Sequence, residues 1–107
     1  METFLEIKPN GQITEHTDVV VDLEFMQTIA GGKARLIELV RINEDLLMWV
    51  PEEGLIEGLP LNEIASQLAG GQYIVGTALV TANDEDVEGN MKGVPERYLE
   101  QFRMEMV

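Results

Sequence analysis

Residues 22–50, DLEFMQTIAGGKARLIELVRINEDLLMWV, contain the helix and the hairpin that decide the fold. Asp22 is a good helix N-cap because its carboxylate can accept hydrogen bonds from the exposed amides of the first turn. The apolar residues after it recur at helical spacing. They are Leu23, Phe25, Met26, Ile29 and Ala30. Gly31 and Gly32 then end the predicted helix, since glycine adopts a left-handed conformation at little cost.

Two apolar runs after these glycines predict a long β-hairpin, with strands at 34–42 and 46–50 joined by residues 43–45. Apolar residues fall on both faces of the first strand, for example Val40 on one face and Leu39 on the other. Strands with two apolar faces need cover on each side, so we expect a helix on one face and a partner subunit on the other. The pattern therefore predicts a homodimer or a higher homo-oligomer.

The segments on either side of residues 22–50 supply a second hairpin and a second helix. Phe4–Lys8 alternates between apolar and polar residues, and Pro9-Asn10-Gly11 is a turn signal that leads to a weak edge strand at Gln12–Thr17. Asn62 suits the N-cap position of a short helix that ends at Gly70-Gly71. The apolar side of this predicted helix consists of Ile64, Ala65 and Leu68.

The last part of the chain predicts one strand, one loop and one helix. Tyr73–Thr81 is rich in β-branched residues and predicts a buried strand, and the acidic segment 83–93 predicts a mobile loop. Pro95 suits a first helical position. The apolar residues of that helix are Tyr98, Leu99, Phe102 and Met106. The order β-β-α-β-β-α-β-α predicts a single α+β domain over 1–107, with a small mixed or antiparallel sheet of hairpins and two or three short helices.

The charge balance limits the class of partner. The chain has 20 Asp and Glu residues against 7 Lys and Arg, which gives a formal net charge of −13. Direct binding to nucleic acid or to an anionic membrane is disfavoured, because both need clustered basic side chains. The acidity either keeps the protein soluble through self-repulsion or forms a surface that competes for a basic, nucleic-acid-binding partner.

The residue types of common catalytic sites are scarce. The chain has no cysteine, one histidine (His16) and one serine (Ser66), so we predict no enzyme activity, no catalytic residue and no cofactor. Residues 83–90 carry oxygen ligands but lack the order of an EF-hand loop, and no metal site is predicted. The N-terminus lacks a signal-peptide pattern and no apolar run approaches membrane-span length, so we expect a cytoplasmic location.

Six residues are candidates for contact with a small ligand. Lys33 and Arg35 follow the paired glycines, whose backbone amides could approach an anion, and Arg41 continues the same basic strand face. Trp49 and Tyr73 could stack on a planar ligand, although core packing also accounts for both. Asn62 could read a base edge, although helix capping accounts for it as well.

The chain resembles a family of short proteins described only as a domain of unknown function, whose members recur in phages, plasmids and integrative elements. The resemblance covers roughly residues 4 to 81. It rests on Leu23–Gln27 with Gly31-Gly32, Ile37–Val40, Glu52-Glu53-Gly54, Gly58-Leu59-Pro60-Leu61-Asn62 and Ile74–Thr77. The Gly-Leu-Pro-Leu-Asn element is its most specific part. The resemblance implies an accessory protein of a phage or mobile element in the host cytoplasm, and by analogy a counter-defence role.

Three functions follow as hypotheses. The preferred one is a sponge that sequesters a small, cyclic-nucleotide immune signal through Lys33, Arg35 and Arg41. The second is an acidic, DNA-mimic-like inhibitor of a host nuclease or other defence protein. Its partner-binding residues are Asp84, Glu85, Asp86 and Glu88. The third is a dimeric accessory protein with a structural or regulatory role.

Overall fold

A computed structural model describes residues 2–105 of the chain. Its elements follow the predicted order. They are β1 (Thr3–Ile7), β2 (Ile13–Thr17), α1 (Leu23–Ala30), β3 (Ile37–Arg41), β4 (Leu46–Pro51), α2 (Glu63–Leu68), β5 (Ala78–Ala82) and α3 (Glu96–Glu105). The predicted α+β class is confirmed, whereas Met106, assigned above to the last helix, lies outside the described residues. None of the helices between residues 2 and 105 has the length and apolar character needed to cross a membrane.

The five strands form one sheet in the order β2-β1-β5-β4-β3, and every neighbouring pair is antiparallel. β5 lies at the centre, and all five of its residues are buried. It joins the two hairpins, because it pairs with β1 on one side and with β4 on the other. β2 and β3 are the two edges of the sheet.

Both faces of the sheet are covered by helices of the same chain. On one face Ile7 and Met48 belong to a core cluster that includes Ala65 of α2 and Phe102 of α3. The cluster on the other face comprises Phe4, Val21, Met26, Ala30, Leu47, Leu79 and Met91, with α1 as its helix. Most of the two-sided apolar pattern is thus buried within one chain, and the partner subunit expected on the second face would cover only residues such as Leu39, which is 51% exposed.

Two strands begin three or more residues later than the sequence predicts. β3 begins at Ile37 and not at Ala34, because a turn closes first: Arg35 has a positive φ of 55°, and its N–H donates to the carbonyl of Gly32 at 3.3 Å. β5 begins at Ala78 and not at Tyr73, because Gly76 has a φ of 78° and interrupts the extended chain. A Cβ at Gly76 would lie 2.8 Å from Cδ1 of Leu59 and 2.9 Å from Cγ of Pro51, so a larger residue would displace these side chains as well.

The side chain of Asn62 connects three parts of the fold. It is 1% exposed, and its Oδ1 accepts from the N–H of Ala65 at 3.1 Å, which confirms it as the N-cap of α2. Its Nδ2 donates to the carbonyl of Ile7 at 2.8 Å and to the carbonyl of Gly76 at 2.9 Å. One amide therefore ties α2 to the end of β1 and to the segment that enters β5.

We predict that Asn62→Ala destabilises the fold strongly. The change removes a helix cap, worth about 1 kcal/mol, and two further hydrogen bonds to interior carbonyls, at roughly 1 kcal/mol each. Asp22→Ala is the matched control, since Asp22 caps α1 through the N–H of Phe25 at 2.8 Å and holds no interior carbonyl in this way. Urea denaturation should show the larger loss for Asn62→Ala, and equal losses would contradict this role.

Candidate functional site

The structure does not bring the six predicted ligand residues together. Lys33 and Arg35 lie in the turn between α1 and β3, and not on a strand face as predicted. Arg41 lies at the opposite end of β3, and Trp49 lies within β4. The other two residues differ in their exposure to solvent: Asn62 is buried, whereas Tyr73, in the loop after α2, is 65% exposed.

The turn after α1 does bind an anion, and that anion is a carboxylate of the same chain. The backbone N–H groups of Lys33 and Ala34 donate to Oε1 and Oε2 of Glu57 at 2.9 and 3.1 Å. Gly32 has a φ of 66°, and a Cβ there would lie 2.7 Å from Oε1 of Glu57. The glycine therefore lets the backbone approach a carboxylate, which is the geometry the sequence predicted for an external ligand.

Glu57 is a residue that the sequence analysis missed. It lies 24 positions from Lys33, in the segment between β4 and α2, and no local pattern connects it to the turn. The N–H of Lys33, then the N–H of Ala34 and the charge of Lys33, hold the pKa of this carboxyl below its usual range. A hollow of about 290 Å³ adjoins the contact, with Thr28 and Thr77 among its lining residues.

A larger groove, of about 570 Å³, lies on the face of the sheet that carries α1. Its apolar lining residues are Leu39, Leu47, Trp49 and Met91, and its polar lining residues are Asn83, Asp84, Glu85 and Asp86. The groove thus joins one residue of the predicted ligand set, Trp49, to three of the four predicted partner-binding acids. Two strands, β3 and β4, and the loop after β5 contribute to it, so no single stretch of the sequence predicts it.

The apolar floor of the groove is held in place by the sheet. Leu39 of β3 lies opposite Trp49 of β4 in the strand register, and Leu39 remains 51% exposed. Nε1 of Trp49 donates to Oγ1 of Thr81 at 3.1 Å, and this hydroxyl donates to the carbonyl of Ala82 at 3.0 Å. The polar atom of the indole is therefore bonded inside the protein, and the ring contributes an oriented apolar surface.

The acidic rim is formed by the loop after β5, which has a hydrogen-bonded structure of its own. The N–H of Asp86 donates to the carbonyl of Asn90 at 2.9 Å, and Oδ1 of Asp86 accepts from the N–H of Glu88 and of Asn90 at 2.9 and 3.0 Å. Asp84 forms an ion pair with Lys92 at 3.3 Å. Within residues 2–105 no group of three or more His, Cys, Asp or Glu side chains is arranged to hold a metal ion.

His16 and Ser66 occupy structural positions. Nε2 of His16 lies 2.7 Å from Oε1 of Glu6, and its ring packs edge-on against Phe25 of α1. Glu15, the neighbour of His16 in the sequence, bonds Arg103 at 2.8 Å. Ser66 lies in α2, on the other face of the sheet. Its Oγ accepts from the N–H of Ile74 at 2.9 Å and donates to the carbonyl of Ile74 at 3.3 Å.

We predict that Glu57→Gln lowers stability in a pH-dependent way. The pKa of Glu57 is depressed in the folded state, so its contribution is present above its unfolded pKa and is lost as the pH falls through the folded pKa. At pH 7 the variant should unfold at lower urea concentration than the parent, and the difference should narrow below the ordinary glutamate pKa of 4.5. Glu52→Gln, an exposed site in the same segment, is the control. A difference that does not change with pH would contradict the carboxylate contact.

Comparison with known proteins identifies a family. The comparison with curated proteins found no match, and the comparison with solved structures found none. A family model with the description Domain of unknown function (DUF3846) matches residues 1–105. The match covers almost the whole chain and confirms the predicted resemblance to a family of unknown function. The chain belongs to the DUF3846 family.

Proposed function

We propose that the protein is a non-catalytic binding protein whose groove takes up a basic segment of a partner protein. The observation that carries this proposal is the combination, in one groove, of an apolar floor with an acidic rim. An Arg or Lys side chain has the matching chemistry, because its aliphatic stem packs on apolar surface while its charged end contacts carboxylates. Binding of this kind is stoichiometric, and we expect no turnover of nucleotides, peptides or esters.

Trp49 supports a contact with basic side chains. An Arg guanidinium stacks on an indole face, and Trp and Arg are the residue types most enriched where protein interfaces gain most of their affinity. The neighbouring Leu39 and Leu47 extend the apolar surface around the ring. A short segment with alternating basic and aliphatic residues would use both parts of the groove.

The net charge of −13 supports the same class of partner. Long-range attraction raises the rate at which an acidic protein meets a basic surface, and the effect weakens with salt. Many natural basic surfaces bind nucleic acid. Within this proposal the protein occupies the basic surface of a host nuclease or other defence protein, as an accessory factor of a phage or mobile element in the host cytoplasm.

Sequestration of a cyclic nucleotide is the second candidate, favoured by one observation. The turn at Lys33 and Ala34 presents two backbone N–H groups to a carboxylate, so it has the geometry to hold an anion. Against it, Glu57 already bonds both groups, and Arg41 and Trp49 lie in other parts of the sheet. The acidic groove is therefore the better supported site.

We predict that the groove binds a synthetic peptide of alternating arginine and leucine, and that the chain's single tryptophan, Trp49, reports this by a fluorescence change. The triple variant Asp84→Asn, Glu85→Gln, Asp86→Asn should weaken the peptide Kd about tenfold, since three exposed charges contribute roughly 0.5 kcal/mol each. Asn at position 86 keeps the Oδ1 acceptor of the loop. Added salt should weaken parent binding more than variant binding.

The control variant makes the same charge change away from the groove, at Glu52, Glu53 and Glu63. Equal weakening by both triple variants would show a general charge effect and would contradict the groove. Calorimetric titration with a panel of cyclic nucleotides tests the second candidate in parallel. Heat that is lost in Lys33→Glu and in Arg35→Glu, with no peptide binding, would replace the first proposal by the second.

A further inference from the structure

The outer edge of β3 has free backbone groups. Within the described residues β3 pairs only with β4. The carbonyl of Leu36 accepts from the N–H of Glu52 at 2.9 Å, and the N–H of Ile42 donates to the carbonyl of Leu46 at 3.1 Å, so the even-numbered positions face β4. Because backbone groups alternate in direction along an antiparallel strand, the N–H and C=O groups of residues 37, 39 and 41 point outward.

The outer edge of β3 also has little protection against pairing. Proteins usually guard free edges with proline, bulges or charged side chains. On the α1 face β3 presents Ile37 and the half-exposed Leu39, and its one charge there, Arg41, lies at the strand end. The other edge, β2, has the sequence ITEHT with polar residues at four of its five positions. An apolar contact between edges therefore favours β3.

We propose that β3 pairs antiparallel with β3 of a second copy around a twofold axis at Leu39, so that two five-stranded sheets become one continuous sheet. With a twofold axis perpendicular to the sheet, the faces that carry α1 lie on the same side of the joined sheet in both copies. It places Leu39 opposite Leu39 of the partner subunit and Ile37 opposite Arg41 of the partner subunit. All three outward-facing residues then form hydrogen-bonded pairs.

The charges select this register. A twofold axis at residue 38 would put Glu38 opposite its own copy, which is unfavourable. A twofold axis at residue 40 would leave only residues 39 and 41 to form hydrogen-bonded pairs within the strand. In the proposed register Glu38 lies opposite Val40, and no like charges are directly opposed. The register with the most hydrogen bonds is thus also free of direct repulsion.

The second copy would extend the groove. Leu39 belongs both to the groove floor and to the proposed contact, so pairing places the partner subunit's Leu39 at the end of the floor. The two grooves then adjoin on the same face of the joined sheets. The proposed function does not depend on the dimer, because each copy carries a complete acidic rim. The dimer does not depend on the proposed function either, because backbone groups of β3 form its contact.

Sedimentation equilibrium of the full chain tests the dimer. We expect the parent to sediment at twice the monomer mass at micromolar concentration, and Leu39→Lys to sediment as a monomer with an unchanged circular dichroism spectrum. Thr17→Lys, an exposed change on the other edge, should remain dimeric. Salt should strengthen the dimer, because it screens repulsion between two acidic copies, whereas it should weaken peptide binding to the groove. The two proposals can therefore fail separately.

Hydrogen exchange of the parent protein gives a second test that does not depend on a variant's folding. The amides of Ile37, Leu39 and Arg41 should be protected in the dimer and should exchange faster on dilution to monomer. A parent that is monomeric at micromolar concentration would overturn the proposal. A dimer in which these three amides exchange freely would also overturn it, since the contact would then lie elsewhere.

Discussion

The buried amide of Asn62 is the interaction on which the arrangement of this fold depends. Ile7 ends β1 and Gly76 precedes β5, and the carbonyls of both residues point at the same side-chain nitrogen. Each of these two hydrogen bonds is made in the protein interior and contributes roughly 1 kcal/mol. The same side chain begins α2. The position of α2, the entry of the chain into the central strand and the end of β1 are therefore fixed together.

Short-range patterns account for most of the secondary structure. Asp22 and Gly31 bound α1 as their residue types indicate, and Asn62 caps α2. The predicted starts of β3 and β5 are wrong because one residue in each segment adopts a conformation that differs from the extended one its neighbours favour. Arg35 adopts a positive φ in a run that looks extended, and Gly76 interrupts a run rich in β-branched residues. Gly76 packs against Leu59, and the N–H groups of Lys33 and Ala34 beside Arg35 bond Glu57, so both departures adjoin contacts with a distant segment that residue type alone does not reveal.

The candidate site was harder to predict than the fold for the same physical reason. The acids at 84–86 and the indole of Trp49 were each singled out, but only the sheet topology places β4 beside β5 and so brings the loop after β5 to the indole. Glu57 shows the opposite case, in which the chain itself satisfies a predicted anion site. Basic groups are also used internally. Lys92, Arg97 and Arg103 are three of the seven Lys and Arg residues, and all three form ion pairs with acids of the same chain.

The central place of β5 has a consequence for the newly made chain. Translation produces both hairpins before Ala78–Ala82, yet the inner strand of each hairpin, β1 and β4, reaches its final neighbour only when β5 arrives. During that interval the nascent protein has two short hairpins with unpaired inner edges, and such edges promote association between chains. Most of the acidic residues have been made by then. Mutual repulsion between nascent chains would therefore slow their aggregation until the last strand closes the sheet.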